Sequence, residues 1–184
     1  MIPVGYMAKK SVSKPAGIEL ATITDVYSVG SCVNDDFADY IDYWKHNGFW
    51  FFDSPQIIQE VARENSLDLQ GALLFYYEVH EMEFNEKQLS WSAFSPESAM
   101  RTDVVIPVEK RLEGFDLVTF YVHTSPECSP LSCCGLAREI RTNSHCLIET
   151  FEEARAALET GKCSGAEPGP YRIFAVYSVD WPDP

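Results

Sequence analysis

The densest chemistry in this chain lies between His123 and Cys146, which holds four of the six cysteines and two of the four histidines. The spacing is His-x4-Cys-x4-Cys-Cys-x10-His-Cys. Zinc ligands usually come as pairs about two to four residues apart. No Cys-x2-Cys pair is present, and a helix expected from Pro130 would hold the thiols apart, so no metal ligand set is assigned. As reactive thiols, Cys128 and Cys133 are the catalytic candidates. Cys128 precedes the start of the expected helix and Cys133 falls in its first turn, where backbone N–H groups stabilise a thiolate. His123 or His145 would serve as base. Cys134 and Cys146 fall on apolar faces and read as core.

Cys32 lies, like Cys128, between a strand end and a helix start, where ligands collect in layered sheets. A dense aromatic group follows it: Tyr40, Tyr43, Trp44, His46, Phe49 and Trp50. Trp44 and Phe49 suit a core; Tyr43, His46 and Trp50, with Cys32, are the ligand-binding candidates, since exposed Trp and Tyr anchor interfaces. Glu78, His80, Glu81 and Glu83 form an acidic patch with one imidazole. Such a group holds a divalent ion or moves protons, or simply forms a charged strand end. No Gly-rich phosphate loop, Walker pattern or GxSxG elbow occurs, and no cofactor is expected.

The elements that must position these groups repeat. Displaced by 96 residues, Lys45 meets Arg141, Asn47 meets Asn143, and Asp53-Ser54 meets Glu149-Thr150; upstream, Val26 meets Val122 and Cys32 meets Cys128. Each half reads as strand, helix, short strand, capped helix, long strand. In the first half these are 21–29, 35–46, 49–52, a helix capped by Ser54 with Pro55 at its first position, and 73–84. In the second they are 116–123, a helix from Ser129-Pro130 carrying Leu131, Cys134, Leu136 and Ile140, then 145–148, a helix opened by a Thr150–Glu153 capping box, and 171–181. Met1 to Lys14 reads as a strand and an arm. Residues 85–114 form an irregular joint, with a hairpin arm or a long loop near Trp91, Phe94 and Pro96 and a short strand at 104–108. Alternating strands and helices favour an α/β fold, or α+β, with right-handed crossovers. The expected architecture is a single layered domain over 1–184, built from tandem halves 21–84 and 115–181 by internal duplication.

Composition bounds the function. The 184 residues carry a net charge of −14 and are 13% aromatic. Nucleic-acid binding needs clustered Lys and Arg and is not expected. An acidic field suits a basic protein partner as well as mere solubility. No apolar run approaches the ~18 to 20 residues of a membrane span. Met1 to Leu20 is interrupted by Lys9, Lys10 and Lys14 and lacks a signal-peptide core. A cytoplasmic protein with thiols rather than disulfides is therefore expected. The reading that follows is a non-enzymatic binding module for a basic protein or a small molecule, with a homodimer compatible. The alternatives are a thiol enzyme using Cys128 or Cys133, and a metal-binding fold.

Overall fold

The computed structural model describes residues 1–10, 12–13, 20–30, 47, 49–94, 103–120 and 128–182. The expected helix at 35–46, and with it Cys32, Tyr43 and His46, lies outside these residues, as does His123.

The fold is mixed α+β. Strands β1 (Ile2–Lys10), β4 (Ala72–Asn85), β7 (Tyr171–Val179) and β6 (Arg111–Thr119) form a sheet in the order β1-β4-β7-β6, and β5 (Ser90–Ala93) pairs with the outer end of β4. Every pairing is antiparallel, so the α/β expectation with parallel crossovers gives way to α+β. Two-residue strands β2 (Val12–Ser13) and β3 (Asp25–Val26) pair separately, all that forms of the strand expected at 21–29. No described helix is long and apolar enough to cross a membrane.

Helix α1 (Pro55–Glu64) packs on β1, and α2 (Phe151–Glu159) on β6 and β7. Proline at the start of α1 fits because that N–H has no helical partner. Ile58, Val61 and Ala62 recur at helical spacing and are buried; burying Ile58 and Val61 contributes roughly 1.5–3 kcal/mol each. Ser54 sits at the cap position, but its hydroxyl makes no capping bond. Thr150 does cap: its Oγ1 accepts the Glu153 N–H at 3.2 Å and donates to the Glu153 carboxylate at 3.0 Å.

Four expected elements take other forms. No α-helix follows Ser129. Gly135 adopts φ +72, a left-handed conformation that interrupts the helical hydrogen-bond run, and only a 3-10 turn at Leu136–Arg138 remains. The short strands at 49–52 and 145–148 reduce to single bridges, Tyr6 with Phe52 and Phe115 with Ile148. Trp50 (φ 65) and Cys146 (φ 62) turn the chain there, so one residue of each segment reaches the sheet. Residues 104–108 form no strand.

The two turns share one bonding scheme. Asn47 donates its side-chain amide to the Val4 carbonyl (2.9 Å) and accepts from the amides of Phe49 and Phe51. Asn143 donates to the Glu113 carbonyl (2.7 Å) and accepts from His145 and Leu147. Each asparagine sits against a bulged glycine. Gly5 (φ +128) and Gly114 (φ +146) lie so close to the bridge that an added Cβ would be 2.6 Å from the Phe52 oxygen and 2.8 Å from the Ile148 oxygen. Only glycine tolerates both that φ and that approach.

Residues 28–30 are tied down by two buried ionisable side chains. Lys9, on β1, is 2% exposed and donates to the carbonyls of Ser28 (2.7 Å) and Val29 (2.9 Å). Asp116, on β6, is 1% exposed and accepts the Val29 N–H at 2.8 Å, while Ser129 Oγ accepts the Gly30 N–H at 2.8 Å. Burial lifts the Asp116 carboxyl to about 6, against the opposing pull of its hydrogen bonds and of Lys9.

Candidate functional site

Register builds the site. Tyr6 pairs with Tyr76, and Tyr76 pairs with Tyr177, so three tyrosines stand in one cross-strand row over β1, β4 and β7. Directly opposed residues on antiparallel strands share a face and touch; here the ring centroids are 5.1 and 5.8 Å apart. Two residues beyond Tyr76, on the same face, Glu78 accepts from the hydroxyls of Tyr76 and Tyr177, each at 3.2 Å. Burial raises Tyr6 and Tyr177 to about 12, with Glu78 adding to the rise at Tyr177; Tyr76 is raised further by the same causes. All three phenols therefore stay neutral donors at physiological pH.

Lys110 occupies this group. Its ammonium lies 4.9 Å from the Tyr76 ring centroid, 4.2 Å from that of Tyr177, and 2.5 Å from Glu78 Oε1. Rings about a cation with a carboxylate behind it are the arrangement that recognises organic ammonium groups. The residues leading to Lys110 form a strap, 103–110, held where the Val105 N–H reaches the Asp53 carbonyl (2.9 Å) and Tyr6 Oη donates to the Val105 carbonyl (2.5 Å). Val105, Ile106 and Val108 on this strap are exposed. A groove of about 550 Å³, lined by Tyr6, Pro55, Ile106, Val108 and Trp181 among others, runs beside it.

His145 does not face an empty cleft. The Asn143 turn presents its ring flat on Tyr27, with centroids 4.1 Å apart. Its Nδ1 lies 2.5 Å from Asp25 Oδ1 and its Nε2 3.8 Å from Glu113 Oε2. Glu113 is also bonded to Arg111 (2.7 Å) and Ser178 (2.5 Å). The imidazole thus clamps residues 24–27 to β6, which the Thr24 and Tyr27 amides reinforce by bonding to the Ser144 and His145 carbonyls. Trp50 is half-buried within the Asn47 turn, its N–H bonded to the Asn47 carbonyl.

Cys128, Cys133 and Cys134 come together. The turns that replace the expected helix bring their three sulfurs within 4.8 Å of one another, with Cys128 buried and the other two exposed. The described cysteines are thiols rather than disulfides. Cys146 and Cys163 are buried and lifted to about 12 by desolvation, with Asp116 adding to the rise at Cys146.

The acidic patch on β4 is not one site and not a sheet margin, because β4 lies between β1 and β7. Glu78 serves the tyrosines. Glu83 pairs with the buried Arg172 at 2.8 Å, whose guanidinium stacks 3.7 Å from the Phe94 ring centroid. His80 packs edge-on against Phe151 and Trp91, and burial lowers its pKa. Sequence reasoning included Glu78 but missed Tyr6, Tyr76, Tyr177 and Lys110, whose only signal is strand register, a property of pairing rather than of local pattern. No family model, curated protein or solved structure matches the chain.

Proposed function

We propose that the protein is a non-enzymatic binding module that receives a cationic amine, free or carried on a basic protein, in the tyrosine–glutamate cage. The observation that carries this reading is Lys110, an ammonium seated between two tyrosine rings on Glu78. It behaves as an internal ligand: its own strap can withdraw it, and an incoming cation would take its place. The net charge of −14 would draw such ligands in, and the exposed apolar strap residues would add contact area beside the cage.

The test is binding of a trimethylammonium-bearing lysine peptide, followed by tyrosine fluorescence. Lys110→Ala should tighten binding by roughly tenfold, because a resident competitor has gone. Glu78→Gln on that background should lose most of the gain. No saturable binding to Lys110→Ala would sink the proposal, as would equal binding with and without Glu78.

We infer as well that the halves are tandem copies of one unit. The shared asparagine turns, bulged glycines and single bridges support this, since each depends on several residues agreeing at once.

A further inference from the structure

The sulfur group at Cys128, Cys133 and Cys134 stands apart from the cage and from the His145 clamp. Its geometry follows from the turns that shape it. The Thr119 N–H donates to the Cys128 carbonyl at 2.9 Å, fixing Cys128 against β6. The fully buried Ser129 offers one carbonyl to the amides of Ser132 (3.0 Å) and Cys133 (2.9 Å). Pro130 offers its carbonyl to Cys134 (3.2 Å) and Leu136 (3.1 Å). These nested turns fold Cys133 and Cys134 back over Cys128, the buried Leu131 anchors the loop, and left-handed Gly135 sends the chain away. The scaffold is held by backbone hydrogen bonds from below, and two of its three sulfurs face solvent, so an ion has both a preformed seat and a route to it.

We infer that this loop is a three-thiolate site for a single thiophilic d10 cation, zinc(II) or copper(I). A tetrahedral ion with bonds of about 2.3 Å holds its sulfurs about 3.8 Å apart, so a group already within 4.8 Å needs only a small contraction. Three thiolates more than balance the charge of either ion, and soft ligands select such ions over magnesium or calcium. Binding releases the thiol protons to solvent and changes no oxidation state. The fourth coordination position of zinc is open to water; copper(I) is satisfied by the three sulfurs alone.

The experiment is anaerobic titration of the full chain, reduced with a phosphine rather than a thiol. One arm uses zinc(II) competed against a chromophoric chelator, with cobalt(II) as its spectroscopic stand-in; the other uses copper(I) against a copper(I) chelator. One equivalent of ion should bind in at least one arm, and that arm identifies the ion. For zinc, cobalt(II) should give sulfur-to-metal charge-transfer bands. Cys133→Ser and Cys134→Ser alter exposed positions and should leave the far-UV circular dichroism unchanged. Each should weaken binding by at least about a hundredfold, the upper end of what even an outer-shell change costs. Cys163→Ala, at a buried thiol outside the group, should keep affinity within about threefold. Less than one equivalent in both arms overturns the site. So does affinity in Cys133→Ser and Cys134→Ser equal to that of the parent chain.

Discussion

At the scale of single residues, the buried carboxyl of Asp116 gives the protein a pH dependence of unusual sign. Its folded pKa is about 6 against an ordinary 3.8, because burial outweighs the amide, hydroxyl and Lys9 interactions that favour the charged form. Between those values the folded state holds a proton that the unfolded chain has released. Stability should therefore fall as pH rises from about 4 to about 6, by about 3 kcal/mol in all. Asp116→Asn should remove that component. Urea unfolding of both proteins across this range checks it; parallel pH profiles for the two would refute the assignment. Neither Asp116 nor Lys9 stands out in the sequence. Lys9 reads there as part of a basic arm, and only the folded chain places it beneath the carbonyls of Ser28, Val29 and Gly30.

At the scale of elements, the two helix starts look alike in sequence and differ in fact. Both carry a hydroxyl residue in extended conformation at the cap, yet only Thr150 accepts an amide there. Thr150→Ala should cost about 1 kcal/mol, and Ser54→Ala only a few tenths. Chemical denaturation resolves the difference, and equal losses would contradict the geometry. The two helices and the two long strands were legible because their signals are local: proline after serine, a threonine followed by glutamate three residues on, and apolar residues at a fixed period. The expected helix after Ser129 has the same local signals. It fails because the vicinal cysteines run into Gly135 and the turn tightens onto Cys128. That failure also reverses the sequence argument about the thiols, since a helix would have separated the sulfurs that the nested turns unite.

At the scale of the whole molecule, strand direction was the least legible property. Alternating strands and helices suggested parallel crossovers, but nothing local records which strand lies beside which. The tyrosine row, and so the candidate site, depends on that arrangement. The 96-residue offset in the sequence sets Asn47 against Asn143, and in the structure each side chain serves three backbone partners. Copies of one unit should use these asparagines alike. Asn47→Ala and Asn143→Ala should each destabilise by about 3 kcal/mol, near 1 kcal/mol for each hydrogen bond lost. A near-zero effect at either position, measured by denaturant unfolding, would contradict equivalence.

The single bridges have a consequence of their own. β1 and β6 end the described β1-β4-β7-β6 path, and outer strands offer unpaired amides and carbonyls to any other chain. Tyr6 spends both of its outward groups on Phe52, Phe115 spends both on Ile148, and Thr119 gives its N–H to Cys128. The asparagine turns thus act as blunted margins. A foreign strand would have to break these bonds before it could extend the sheet at Tyr6, Phe115 or Thr119.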